Sequence, residues 1–334
     1  MADMQYHVDE NSPWFKKEAG WPDEVPKNVD PDSRTLYEVL EDATRKWGDK
    51  RAIWFQPLDA TMTYAEVKDA VDRVATGLHR RGIKKGDVVA MLLPNSFQYV
   101  TGYYACMRLG AIATGVNPTY KPGEILHQLK TTGAKALVVL DALYEGQVAP
   151  IFDKSPCQLL VATNVVDMCK GATLKKFLGK LLGKIPTGAV PGSAVAFKDL
   201  LASPAEPPPL AVKAEDTATY IMTGGTTGVP KAAVLTHFNC VNNAKQAVHW
   251  LYKMSEGGAN VGVLPLFHSF AHTCVMNSTI RYGGWMMLFP RPPEQEILVQ
   301  KLIEIGPPAG SIYCGAEILF KKMAEFMEVQ ANKD

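Results

Sequence analysis

The chain has 334 residues, 47% of them apolar and 21% charged, which is more than one ordinary core holds and is the make-up of a water-soluble globular protein with two compact units. With 35 Lys and Arg against 34 Asp and Glu, the formal net charge of +1 excludes a global field that would recruit nucleic acid. No apolar run reaches the roughly 20 residues of a membrane span, and the polar, acidic stretch 1–13 does not read as a secretory signal. Cys106, Cys157, Cys169, Cys240, Cys274 and Cys314 follow no metal or disulfide spacing. They read as reduced packing residues of a cytoplasmic protein.

Residues 1–33 are rich in Pro, Asp and Glu and predict an extended arm anchored by Trp14, Phe15 and Trp21. Helical spacing begins at Leu36, with Val39, Leu40 and Ala43 on the same face. A short strand follows at 52–55. Thr63 then caps a helix whose stripe is Val67, Ala70, Val71, Val74, Ala75 and Leu78, ended by Gly82 and Gly86. The apolar run 88–93 has the character of a strand buried in a parallel sheet. Pro94, Asn95 and Ser96 turn into a further helix, and a strand at 111–116, a helix at 122–130 and a strand at 136–140 continue the alternation. Strands and helices in turn predict an α/β fold of largely parallel sheets with right-handed crossovers.

In the insert 168–190, Leu174, Phe177, Leu178, Leu181, Leu182 and Ile185 follow helical spacing, with Lys175, Lys176, Lys180 and Lys184 on the other face. Such a helix either packs its stripe on its own domain or rests, over 172–186, on an anionic membrane surface. The Pro-rich stretch 203–215 reads as a stiff linker. It divides a first α/β subdomain, 34–202, from a second, 216–334.

After that linker, 218–222 predicts a short buried strand, and 232–235 is another apolar run, with Thr236 and Asn239 as helix caps. Between the two lies Thr223-Gly224-Gly225-Thr226-Thr227-Gly228-Val229-Pro230-Lys231. Its glycines let a backbone approach a polyanion, its threonines offer hydroxyl donors, and Lys231 adds a compact positive charge. A donor-rich loop ending in lysine suits a nucleotide's phosphates. A Gly/Thr hairpin turn is the plainer reading, which the length and order of the stretch disfavour. Neither a Walker loop nor a dinucleotide fingerprint fits, because Lys231 follows Pro230 and no G-x-G-x-x-G opens a helix.

A helix over 237–252 and a strand over 260–264 come next, followed by Pro265-Leu266-Phe267-His268-Ser269-Phe270-Ala271-His272. A histidine among aromatics at a strand's end can sense a carboxylate, or can simply pack on an apolar face. The remainder alternates again: helix around 271–280, strand 285–289, helix 294–305, strand 311–314 and a helix from Ala316.

The stretch 223–231 resembles the phosphate signature of the AMP-forming acyl-adenylate superfamily, which includes acyl-CoA synthetases, luciferases and adenylation domains. The segment from Thr63-Tyr64 to Asn117-Pro118-Thr119-Tyr120 is similar to that family's first core region, and Pro13-Trp14-Phe15-Lys16 with Trp21-Pro22 to the leader of its long-chain fatty-acyl members. The resemblance, from Asp30 to Phe326, implies two packed α/β subdomains and ATP-dependent activation of a fatty acid to acyl-adenylate and then acyl-CoA. ATP, Mg2+ and coenzyme A are the implied cofactors, fatty acid the substrate. It implies that Thr223, Gly224, Gly225, Thr226, Thr227, Gly228, Lys231 and Ser269 bind nucleotide, with Thr223 also at the metal. Phe267, His268 and His272 fall to the acyl side, His272 standing where some long-chain members carry a gating tryptophan.

The family pattern continues with a Tyr-Gly-x-Thr-Glu segment, a Thr-Gly-Asp segment and a lid domain bearing the catalytic lysine. None of these occurs in 290–334, and Gly315-Ala316-Glu317 lacks the tyrosine and threonine. The expectation is an N-terminal portion that alone makes no acyl-CoA, binds ATP weakly and self-associates, as a homodimer for instance. A short non-catalytic nucleotide- or acyl-binding form, and an aryl-CoA ligase or luciferase-like relative, are the alternatives.

Overall fold

The computed structural model describes residues 8–169, 185–209, 211–224, 230–251, 256–306 and 311–331. The insert's lysines and most of its apolar stripe, and Gly225, Thr226, Thr227 and Gly228, lie outside the described residues.

Local chemistry sets the first helices. Thr35 accepts from the Glu38 amide and Glu38 accepts from the Thr35 amide, a reciprocal cap that starts α1 (Leu36–Trp47). Thr63 and Glu66 repeat the arrangement at α2 (Tyr64–Arg80), and the predicted stripes of both helices are buried. Ser96 caps α3 (Phe97–Leu109), which is buried on nearly every side. α4 (Pro122–Thr132) starts on a proline and stops at Gly133, whose φ of 64° suits a residue without a side chain.

The strands form two sheets. One contains β1 (Arg51–Phe55), β2 (Ala60–Thr63), β10 (Ala259–Gly262), β11 (Trp285–Leu288) and β12 (Ile312–Tyr313), in the order β12-β10-β11-β1-β2. The other contains β3 (Val88–Leu92), β4 (Ile112–Gly115), β5 (Ala134–Leu140), β6 (Leu159–Thr163), β7 (Val195–Ala196), β8 (Thr217–Thr223) and β9 (Lys231–Thr236), in the order β7-β6-β5-β3-β4-β8-β9. Pairing is parallel except for β1 with β2 and β8 with β9.

Sheet membership therefore does not divide at 203–215. β1 and β2 precede that stretch yet pair with strands beyond it, and β8 and β9 follow it yet complete the sheet built on β3 to β7. The linear partition fails because parallel neighbours need not be close in the chain. Within that stretch Pro207 and Pro208 lie against α3, where Arg108 donates to both their carbonyls.

One core joins the two sheets: Ile53, Phe55, Met286 and Leu288 of the first sheet with Val89, Met91 and Val138 of the second, through α1, α2 and α3. The opposite face of the larger sheet, with Val88, Ala90 and Leu92, packs on Ile125 and Leu129 of α4. The helices after β3 and β4 thus cover opposite faces.

α5 (His237–Trp250) begins on a Thr236–Asn239 reciprocal cap. α6, residues 269–282, includes a π-helical stretch at His272–Asn277. α7 (Gln295–Ile305) and α8 (Glu317–Ala331) follow. The arm lies against α5: Phe15 meets Trp21 at 4.6 Å and Trp21 meets Trp250 at 5.2 Å. Trp14, expected as an anchor, is 58% exposed.

Candidate functional site

β3 and β4 are neighbours whose following helices cover opposite faces, which makes their carboxyl ends the switch point where open α/β sheets bind ligands. Three segments reach it. The first is the turn after β3, where Asn95 is buried and faces the end of β10. Its Nδ2 donates to the Gly262 carbonyl at 3.1 Å and the Leu264 carbonyl at 2.9 Å, while the Leu266 amide donates to its Oδ1 at 2.8 Å. One side chain thereby fixes the segment leading into Phe267 and His268.

The second is the end of β4. A Cβ on Gly115 would lie 2.5 Å from the Tyr99 hydroxyl and 2.6 Å from the Phe267 Cβ. Glycine is required there because Phe267 seats on the strand's backbone. Gln128 of α4 secures the same place, donating to the Gly115 carbonyl at 2.9 Å and to Thr114 Oγ1 at 3.0 Å.

The third is the hairpin joining β8 to β9, whose antiparallel register ends at Thr223 opposite Lys231. The Thr223 hydroxyl donates to the Lys231 carbonyl at 3.1 Å. The phosphate-loop candidate thus connects two antiparallel strands that pair up to its two ends. Thr223, Gly224 and Lys231 are exposed, and a Cβ on Gly224 would meet nothing within 4 Å. Packing within the protein does not demand that glycine. His127 Nε2 donates to the Pro230 carbonyl at 3.1 Å, tying the hairpin's return to α4.

β4 connects these parts, since it pairs with β8 and receives Phe267 at its last residue. Phe267 and His268 stack with centroids 4.4 Å apart. His268 is exposed, and desolvation by the surrounding chain draws its imidazole below 6.5. Ser269 and His272 line a separate cleft of about 680 Å³ between α5, α6 and the arm. Ser269, expected to face nucleotide, therefore borders the same space as His272. His272 is buried, which pulls it down to about 4, and its ring stands edge-on to Tyr103 at 4.9 Å.

Among the described residues no group of three or more His, Cys, Asp or Glu could hold a metal ion. A hard divalent cation takes several oxygen ligands, and Thr223 offers one neutral hydroxyl already engaged as a donor. The described residues therefore do not make up a magnesium site. All six cysteines are free thiols. Among the described residues no helix is long and apolar enough to cross a membrane.

Sequence reading passed over Asn95, Gly115, His127 and Gln128 as site residues. Asn95, in the turn after a buried strand, carried the one usable signal; the others act through partners far along the chain.

Residues 40–307 match the family described as AMP-binding enzyme. The chain is 30% identical over 330 residues to a long-chain-fatty-acid–CoA ligase of Bacillus subtilis, covering 95% of this chain and 56% of the relative. It is 32% identical over 322 residues to the long-chain-fatty-acid–CoA ligase of Salmonella typhimurium, covering 93% and 56%. A solved long-chain-fatty-acid-CoA ligase from Archaeoglobus fulgidus superposes with a TM-score of 0.67 at 26% identity, over 82% of this chain and 50% of that one. The chain spans about half the length of the relatives it matches. With its motif hairpin and two largely parallel sheets, it belongs to the AMP-binding enzyme family and corresponds to the N-terminal portion of the long-chain fatty-acid–CoA ligases.

Proposed function

We propose that this chain carries the carboxylate-activating site of an AMP-forming acid–thiol ligase acting on fatty acids. In that reaction a carboxylate oxygen attacks the α-phosphorus of ATP and pyrophosphate leaves. The thiol of coenzyme A then attacks the acyl carbon and AMP departs. The first step asks the protein mainly to position two anions and offset the charge gathering on the leaving pyrophosphate.

The observation that supports this reading most is the meeting at β4 of the strand pair that ends at the exposed Thr223 and Lys231 and the Phe267–His268 segment. Lys231 is assigned to the phosphates, with Gly224 leaving room for them. Phe267 and His268 border the carboxylate, and an imidazole neutral at pH 7 can donate to it without adding a full charge. The long-chain relatives argue for a fatty acid. A cytoplasmic setting and a homodimer belong to the same proposal.

The test is acid-dependent AMP release and ATP–pyrophosphate exchange by the protein carrying these residues, with fatty acids against aryl acids. Fatty acids should drive both. Lys231→Ala, which removes one charge-assisted contact of about 1.5–3 kcal/mol, should lower exchange about 10- to 150-fold with an unchanged Tm. Exchange that is indifferent to Lys231, or driven by aryl acids alone, defeats the proposal.

A further inference from the structure

The cysteines share no spacing in the chain, yet the fold brings two of them together. β12 pairs with β10 so that Ile312 stands opposite Asn260 and Tyr313 opposite Val261. Alternation along a strand sends Ile312 and Cys314 to one face and Tyr313 to the other. Packing agrees: Ile312 and Cys314 join the core shared by the two sheets, whereas Tyr313 and Val261 pack on the far side with Leu298. α6 lies on the first of these faces. Asn260 Nδ2 donates to the Cys274 carbonyl at 2.7 Å, and a Cβ on Gly262 would stand 3.1 Å from Val275 Cγ1. The π-helical stretch is thereby fixed to the strand that β12 borders, and the Cys274 and Cys314 thiols are hydrogen-bonded to each other.

The two sulfurs are not equivalent. Cys314 is buried and donates: its bond to Cys274, together with burial, pushes its thiol far above the ordinary range. Cys274 accepts: the bond from Cys314 draws its thiol below the ordinary value against the effect of burial, and the residue keeps partial exposure. Elsewhere burial alone acts in the other direction, raising Cys106 and Cys240 to about 12 and Cys157 to about 11. The thiolate is the form that attacks an oxidant. Two sulfurs in hydrogen-bond contact have only a short way left to the roughly 2.05 Å of a disulfide.

We propose that Cys274 and Cys314 are a redox modification site, a pair that hydrogen peroxide closes reversibly into a disulfide fastening α6 to the edge strand β12. The Cys274 thiolate attacks one oxygen of the peroxide. The O–O bond breaks, a sulfenic acid forms on Cys274 and hydroxide leaves. The Cys314 sulfur then attacks the Cys274 sulfur while its proton passes to the departing hydroxide, so the S–O bond breaks, the S–S bond forms and water is released. The two sulfurs give up two electrons and the peroxide takes them. The first hydroxide takes up the proton that Cys274 had lost, giving two waters in all. A small thiol reverses the bond by exchange.

The experiment treats the reduced whole chain with a small molar excess of hydrogen peroxide at neutral pH, alkylates the remaining thiols and maps unreduced peptides by mass spectrometry. Two of the six thiols should be lost, one linkage should join the Cys274 and Cys314 peptides within a single chain, and dithiothreitol should restore both. In Cys314→Ser the reaction should stop at a Cys274 sulfenic acid, trapped by dimedone. In Cys274→Ser, Cys314 should remain a thiol at the same dose. A linkage that involves any other cysteine, or that joins two chains, overturns the proposal. So does a Cys274 that stays reduced, that is oxidised without linking to Cys314, or that reacts no faster than Cys106 and Cys240. The peptide map of the unaltered chain decides by itself should either variant fail to fold.

Discussion

Replacing Asn95 with alanine tests whether one side chain holds the site's two sheets in register. The substitution deletes three hydrogen bonds, to the Gly262 and Leu264 carbonyls and from the Leu266 amide. At about 0.5–1.5 kcal/mol net each, these amount to roughly 1.5–4.5 kcal/mol, and Leu266, fully buried, keeps an amide with no replacement partner. A loss of about 3–5 kcal/mol is expected. With about 2.1 cal/mol/K of unfolding entropy per residue, a chain of 334 residues should lose about 4–7 °C in Tm if it unfolds as a unit. Asn95→Asp sharpens the test. It retains the acceptor but sets a carboxylate against two carbonyl oxygens, so its folded-state pKa rises above the unfolded value near 3.9. Its penalty should exceed that of alanine at pH 7 and shrink as pH falls through the raised pKa, where an O–H donor is restored. Calorimetry and urea unfolding of both variants across pH 4.5–7.5, compared at each pH, supply the measurement. An alanine variant within about 1 kcal/mol of wild type refutes the reasoning. An aspartate variant no worse than alanine at pH 7 refutes it too.

Gly115→Ala should cost about 1–3 kcal/mol in urea unfolding, because the new methyl meets the backbone of Phe267 at 2.9 Å and backbone yields little. A neutral result would mean that Phe267 does not seat there. Burial holds His237 and His272 at about 4 against an ordinary 6.5, so the unfolded chain binds more protons between those values. Their contribution is complete above pH 6.5 and is lost as pH falls toward 4, by roughly 3 kcal/mol per histidine at most. His237→Asn, which keeps an acceptor for the Leu36 amide now 3.2 Å from Nδ1, should flatten that decline; an unchanged slope counts against it. Asn242→Ala removes both bonds to Asp32 and should loosen the arm, giving faster proteolysis within 8–33 and a red shift in tryptophan emission. Equal cleavage rates would show that the arm is held by other contacts.

Much of the architecture was legible because its signals are local. Thr63 and Thr236 announce helices through their own neighbours three residues on, and the continuous apolar run 88–93 reads as a buried strand. β2, β6 and β7 went unread, being short segments whose strand character comes from partners rather than from alternation within themselves. The site divides the same way. The 223–231 stretch stands out by composition, whereas Asn95 matters only because Gly262, Leu264 and Leu266 sit opposite, and Gly115 only because Phe267 does.

The sharing of strands between the chain's two halves has a consequence for biosynthesis. β1 and β2 leave the ribosome early, yet Ile53 waits for Met286 as its parallel partner. Until then Ile53, Trp54 and Phe55 have nothing to bury against on the β11 side, and a long loop must close before the pairing forms. The nascent chain should therefore carry an exposed apolar hairpin through most of its synthesis, making it a client for chaperones that shield such surfaces. For the same reason a cut at 203–215 cannot yield two independently folding pieces: each fragment would lack strands from the middle or the flank of its own sheet.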